Sequence, residues 1–149
     1  MRTVFLDTSA LVKRYVDEVG SEWVSDLFQK REDSFYIAEL TLVEFTSAVL
    51  RRIRPVEAAQ RILNDFEFHL FSDLIVLDIT SDLIQDAQSI VRRHRLRAYD
   101  AVQLATAEEL DRRERARSLP GVILVSADNE MLETARANGL DTENPNDHK

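Results

Sequence analysis

Short apolar runs, separated by longer stretches of helical periodicity, organise this chain. Val4-Phe5-Leu6, Phe35-Tyr36-Ile37, Leu74-Ile75-Val76-Leu77 and Val122-Ile123-Leu124-Val125 are the runs. Continuous apolar segments of this length read as strands buried on both faces. Between them, apolar residues recur every three or four positions, as on one face of a helix. Ala10, Leu11, Val12, Tyr15 and Val16 predict a first helix, and Trp23, Val24, Leu27 and Phe28 a second. Thr41 is placed to cap a third, with Leu42, Phe45, Val49 and Ile53 along its stripe. Pro55 suits the first turn of a fourth, which carries Ala59, Ile62, Leu63 and Phe66. Ser81 or Asp82 opens a fifth helix, and a sixth begins near Ala98 and carries Val102, Leu104, Ala105 and Leu110. Pro120-Gly121 is a turn. A seventh helix runs from about Asn129 to Asn138 and stops at Gly139, and Leu140 to Glu143 adds a short edge strand. Strands alternating with helices predict a single α/β/α domain over residues 1–149, built on a parallel sheet.

Composition narrows the class. Of 149 residues, 44% are hydrophobic and 31% charged, which suits one soluble domain with a good core. There is no apolar run long enough to span a bilayer, and the N-terminus lacks the basic-then-apolar pattern of a signal peptide. With no cysteine there is no disulfide framework and no thiolate metal site. These features lead us to expect a cytoplasmic protein without a membrane partner. A net charge of −8 argues against coating nucleic acid by bulk charge. It is compatible with a nuclease, because carboxylates that bind divalent cations add to the negative count. The positive charge is unevenly placed, with 11 of the 19 basic residues in three arginine clusters. Arg51, Arg52 and Arg54 form the first, and Arg92, Arg93, Arg95 and Arg97 the second. The third, Arg112, Arg113, Arg115 and Arg117, is interleaved with Asp111 and Glu114 and reads as a solvated helix face or as ion pairs to nearby acids. The second is almost devoid of acids and fits either phosphate contact or a solvated face.

Four acidic residues stand out by position. Asp7 ends the first apolar run, where a buried strand hands over to a helix. Asp128 follows the last main run by three residues and occupies a similar corner. If these two strands are neighbours at the switch point of the sheet, both carboxylates face one crevice. Asp100 opens the sixth helix among Ala98, Ala101, Ala105 and Ala107, small residues that allow close backbone approach. Glu44 lies on the third helix away from its apolar stripe, on a face with Ala48 and Arg51. Each also has a purely structural role open to it: Asp7, Asp100 and Asp128 as helix caps or first-turn acids, Glu44 as a solvated residue. Together they suggest a cation site, since several carboxylates in one crevice cannot all stay ionised without one. Mg²⁺ commonly takes one or two carboxylates, waters and a substrate phosphate. Such ions neutralise a phosphodiester and orient an attacking water. In this reading Asp7 is a ligand, helix capping passes to Thr8 or Ser9, and the Thr8 and Ser9 hydroxyls hold the Asp7 carboxylate or meet the substrate phosphate.

These residues carry a family resemblance. Leu6-Asp7-Thr8-Ser9-Ala10-Leu11, Glu44 in Leu40-Thr41-Leu42-Val43-Glu44-Phe45, Tyr99-Asp100-Ala101 through Ala107, and Ser126-Ala127-Asp128 resemble, in order and spacing, the PIN-domain proteins. More narrowly they resemble the VapC-type toxins of toxin–antitoxin pairs. The resemblance implies a five-stranded parallel sheet of order 3-2-1-4-5. It also implies a Mg²⁺- or Mn²⁺-dependent endoribonuclease with Asp7, Glu44, Asp100 and Asp128 as its acidic site. Asp7, Asp100 and Asp128 would be the metal ligands, with support from Ser9 and Ser126. It further implies a homodimer and an antitoxin protein that silences the site. Two features depart from a simple transfer. The charged segment Asp111 to Ser118 is longer than a compact turn, and Asn129 stands where a further acid could support a second metal.

Other readings remain: a housekeeping PIN nuclease that processes RNA, or a silent PIN-like module kept for protein binding. A histidine-based RNase is disfavoured, since His69 lies in a helix tail, His94 in the basic segment and His148 at the chain end. A nucleophilic triad lacks both a cysteine and a Gly-x-Ser-x-Gly elbow. A phosphatase would need Asp-x-Asp-x-Thr after the first strand, and a receiver domain finds only Leu77-Asp78 after the third.

Overall fold

The computed structural model describes residues 1–148. These form five strands and seven α-helices: β1 (Thr3–Leu6), α1 (Thr8–Val12), α2 (Ser21–Gln29), β2 (Ser34–Ala38), α3 (Leu40–Arg52), α4 (Val56–Ser72), β3 (Leu74–Leu77), α5 (Ser81–Arg93), α6 (Ala98–Ala116), β4 (Val122–Val125), α7 (Asn129–Ala137) and β5 (Asp141–Glu143). A 3₁₀ turn at Pro145–Asp147 follows β5. Every strand pairing is parallel, in the order β3-β2-β1-β4-β5. Alternation along the strands splits the core into two. Phe5, Leu124 and Tyr36 pack with Leu83, Ile90, Leu104 and Met131 from α5, α6 and α7. Val4, Leu6, Ile37 and Val125 pack with Leu11, Leu27, Phe45 and Phe66 from α1 to α4. The sheet is thus the middle of three layers, as its apolar runs require.

Several sequence expectations need correction. The first helix does not reach Val16. It ends at Val12, and the chain turns through Tyr15 while Tyr15 and Val16 still pack against the core. Asp7 itself is the N-cap of α1, accepting from Ala10 N at 2.9 Å, so the capping role does not pass to Thr8 or Ser9. Thr41 does not cap α3 but lies inside it, fully buried. β3 is an edge strand with Ile75 46% exposed, rather than a strand buried on both faces. The segment from Asp111 belongs to α6, whose C-terminal turns grip the far end of the sheet. There Asp111 Oδ1 accepts from Val122 N at 2.9 Å, and Oδ2 pairs with Arg115. Two more arginines of that cluster are paired, Arg112 with Asp86 and Arg113 with Glu109, and Arg117 is exposed.

Candidate active site at the carboxyl ends of β1 and β4

The register of two strands builds the centre of the site. Leu6 pairs with Val125, so the next residues, Asp7 and Ser126, leave adjacent strands side by side. β1 lies between β2 and β4, which makes this the switch point of the sheet, where ligands of open α/β folds bind. Asp7 is 4% exposed and Ser126 fully buried. Two hydroxyls hold the carboxylate. Ser9 Oγ donates to Asp7 Oδ1 at 2.7 Å, and Ser126 Oγ donates to Oδ2. Each hydroxyl in turn accepts a backbone N–H from the turn after β4, Ser9 from Ala127 and Ser126 from Asp128, both at 3.0 Å. The loops after β1 and β4 are therefore locked together through Asp7. Burial nevertheless outweighs these donors and pushes the Asp7 carboxyl up to about 6, with the Asp100 charge adding to the rise.

The remaining acids converge on the same cleft, whose volume is about 380 Å³ and whose wall includes Asp7, Glu44, Asp100 and Asp128. Asp100 lies in the first turn of α6. Its carboxyl is also pushed up to about 6, first by burial and then by the Asp128 and Glu44 charges. Asp128 caps α7 with one oxygen, Oδ1, which accepts from Glu130 N and Met131 N. Glu44 is held by Oε1, which accepts from Thr8 Oγ1 and from Gln103 Nε2, each at 2.8 Å. Asp128 and Glu44 are thus each fixed through one oxygen, while the other is left out of that network. Thr8, named as a support for Asp7, supports Glu44 instead.

Gln103 was not foreseen. It is 2% exposed, and its amide also donates to Thr41 Oγ1 at 2.8 Å. The sequence carries one clue: a lone polar residue in an apolar stretch, three positions after Asp100 and so on the same helix face. On α3 the cleft takes the row Glu44, Ala48, Arg52, spaced four apart, so Arg52 and not Arg51 lines it. Lys13 and Glu18 also line it and were missed. Arg92 and Arg93 end α5, Arg95 follows, and Arg97 is the N-cap of α6. All four are exposed and none lies in the cleft wall, although the Arg97 charge draws the Asp100 carboxyl down.

The donor set suits a hard divalent cation, being carboxylate oxygens, those of Asp7 buried and those of Glu44, Asp100 and Asp128 half-buried, with Asp100 facing the charges of its neighbours. Among the described residues no three Asp, Glu or His side chains are gathered closely enough to enclose an ion unaided. The set therefore fits a cation held by one or two carboxylates, with water or substrate completing its shell.

The chain belongs to the PIN domain family, whose model matches residues 4–137. No curated protein sequence matches it significantly. Among solved structures, its fold is shared by DNA-bound VapBC from Salmonella typhimurium, with a TM-score of 0.64 at 20% identity over 97% of this chain and 99% of that one. It is also shared by VapC20 of Mycobacterium tuberculosis, described as a sarcin–ricin loop cleaving toxin, with a TM-score of 0.65 at 18% identity over 92% and 95% of the two chains. VapBC2 from Rickettsia felis, bound to a DNA fragment from its promoter, gives 0.64 at 16% identity over 95% and 98%.

Proposed function

We propose that this PIN domain is a metal-dependent endoribonuclease and the toxin of a toxin–antitoxin pair. The observation that carries the reading is the convergence of Asp7, Glu44, Asp100 and Asp128 on one cleft at the switch point, with Asp7 and Asp100 both pushed up to about 6. A bound Mg²⁺ or Mn²⁺ would supply Lewis-acid activation of water and neutralise the phosphodiester. Asp7, Asp100 and Asp128 are the residues we assign to it, one or two of them by direct ligation and the rest through water. Ser9 and Ser126 keep both Asp7 oxygens in place, while Thr8 and Gln103 fix Glu44, the fourth acid, at the cleft wall. Arg92, Arg93, Arg95 and Arg97 give RNA an exposed basic edge leading toward Asp100.

The fold likeness to VapC20 and to two VapBC assemblies supports both RNA as the substrate and an antitoxin protein as the partner. A toxin acting on RNA would work in the cytoplasm. The described residues contain no helix long and apolar enough to cross a membrane. Exposed apolar residues supply surface for partners. Ile84, Val91 and Val102 line an apolar hollow of about 370 Å³ between α5 and α6 that suits a second copy of the chain. Val43 on α3 and Phe68 on α4 are exposed elsewhere. The nuclease reading is tested by incubating the protein with structured RNA, and with DNA of the same sequence, in Mg²⁺, Mn²⁺ or EDTA. Cleavage of RNA alone, dependent on the ion, is expected. Equal cleavage of DNA would remove the RNA assignment. Growth arrest on expression, relieved by a neighbouring gene product, separates a toxin from a housekeeping nuclease.

A further inference from the structure

The cleft that gathers four carboxylates must also admit a polyanion. Among the described residues its wall holds two basic side chains, Lys13 and Arg52, and a fifth acid, Glu18, which joins them. Lys13 Nζ donates to Glu18 Oε1 at 3.1 Å and to the Val19 carbonyl at 2.7 Å, and its side chain is 6% exposed. Glu18 Oε2 accepts from Arg52 Nη2 at 2.6 Å. Burial would raise the Glu18 carboxyl, but the hydrogen bonds from Arg52 and Lys13 outweigh it and hold it below its ordinary range. The trio therefore carries a net charge of +1, with Lys13 as its buried anchor. Arg52 commits Nη2 to Glu18 and keeps 48% of its side chain exposed. It stands two helical turns from Glu44 on the row that faces the cleft.

We infer that Arg52 is the substrate-phosphate contact of this cleft, and that Glu18 and Lys13 are positioning residues that hold it. This inference rests on the nuclease reading. A guanidinium has five N–H donors in a planar fork, so one can be tied to Glu18 while others meet phosphate oxygens. Holding the side chain beforehand removes part of the ordering cost of binding. The contact would lie beside the cation site and engage a phosphate of the bound strand, with the carboxylate side reserved for the scissile group. Arg52 rather than the Arg92–Arg97 edge then sets how tightly RNA enters the cleft.

The test uses the full chain in an Asp100→Asn background, so that RNA is bound and not cut, and a fluorescein-labelled RNA stem-loop read by anisotropy across a salt series. Arg52→Ala is expected to weaken binding about tenfold. It is also expected to flatten the slope of log K against log salt by about 0.7, the value for one lost phosphate contact on a single strand. Arg52→Lys should fall between, having charge but no fork. Glu18→Gln, which keeps the shape and loses the anchor, should weaken binding less than Arg52→Ala. In the otherwise native protein, Arg52→Ala should raise KM with little change in kcat, and Mn²⁺ affinity by calorimetry should be unchanged. Native affinity and salt slope in Arg52→Ala would overturn the inference, as would loss of Mn²⁺ binding, which would make Arg52 part of the metal-site scaffold. If the native protein neither binds nor cuts RNA, the nuclease reading itself fails. If it cuts RNA and Arg52→Ala cuts it equally well at low substrate, only this inference fails.

Discussion

Asp7 serves the fold at the expense of its own charge. It caps α1 and ties two loops together, yet its carboxyl rises from 3.8 to about 6 because burial outweighs three hydrogen bonds. That rise corresponds to about 3 kcal/mol against the ionised form. The sign follows from linkage: between about pH 4 and pH 6 the folded state binds protons that the unfolded state has released. The stabilisation is present below the unfolded value and lost as pH rises through the folded one. Asp100 acts in the same window. Asp33 and Asp73 act the other way, because Arg2 and Arg14 outweigh their burial and hold them low. Their contribution is present above about pH 4 and lost below it. His69, held below its ordinary range by burial and by Arg14, opposes this within the same window, one imidazole against two carboxyls. Metal-free protein should therefore still melt at a higher temperature at pH 5 than at pH 7.5, and Mn²⁺ should raise the melting temperature at pH 7.5 but not at pH 5. Calorimetric melts at both pH values check this, and a Mn²⁺ shift that persists at pH 5 would contradict it. Asp7→Asn removes the buried charge, keeps the Ser9 and Ala10 bonds through Oδ1, and lets Nδ2 donate to Ser126 Oγ. It should raise the metal-free melting temperature at pH 7.5 by several degrees.

At the scale of elements, α6 works as a ruler. Its first two turns carry Asp100 and Gln103 at the carboxyl ends of the strands, and its last turns carry Asp111 and Glu114 at their amino ends. Gly121 adopts φ +96°, and a Cβ there would meet Asp111 Oδ1 at 2.5 Å. Gly121→Ala should cost about 2 kcal/mol from the strained backbone and the displaced clamp. Thermal melts should register that loss, while the folded variant keeps its RNA-cleavage rate, because the clamp lies at the opposite end of the sheet from the cleft. A selective loss of rate would contradict this division. The strands were legible because a sheet covered by helices on both sides demands short, continuous apolar runs, and their order followed from the resemblance. The end of α1 was not legible, since Tyr15 and Val16 keep the helical spacing and are packed against the core without being helical. Asp7 and Asp128 were readable from their strand-to-helix corners, Asp100 from a helix start among alanines, and Glu44 from its place off the apolar stripe of α3. Gln103 left only its polar break in an apolar stretch, and Lys13 and Glu18 left no signal, because their roles depend on contacts between α1, α3 and the loop before α2 that no local pattern encodes. The choice of Arg52 over Arg51 turned on the rotation of α3 by one residue.

For the whole molecule, the sheet switch point, the shared cleft and the raised Asp7 and Asp100 carboxyls support the proposed reading, a cleft unfavourable for its own charges that a cation would relieve. The apolar hollow of Ile84, Val91 and Val102 adds a second expectation. The chain should run as a dimer in light scattering, and Val91→Glu should convert it to a monomer; a native monomer at micromolar concentration would remove that assignment. The central claim is that the carboxylate cleft binds a divalent ion to cut RNA. Asp7→Asn tests it most directly, because this variant is expected to fold at least as stably as the native chain, so lost activity cannot be put down to unfolding. The measurement is the single-turnover cleavage rate of an RNA stem-loop at pH 7.5 in Mn²⁺ or EDTA, for the native protein and Asp7→Asn. The account predicts cleavage by the native protein in Mn²⁺, and a fall of about a hundredfold or more both in EDTA and in Asp7→Asn. Cleavage at the native rate by Asp7→Asn, or in EDTA, would contradict it.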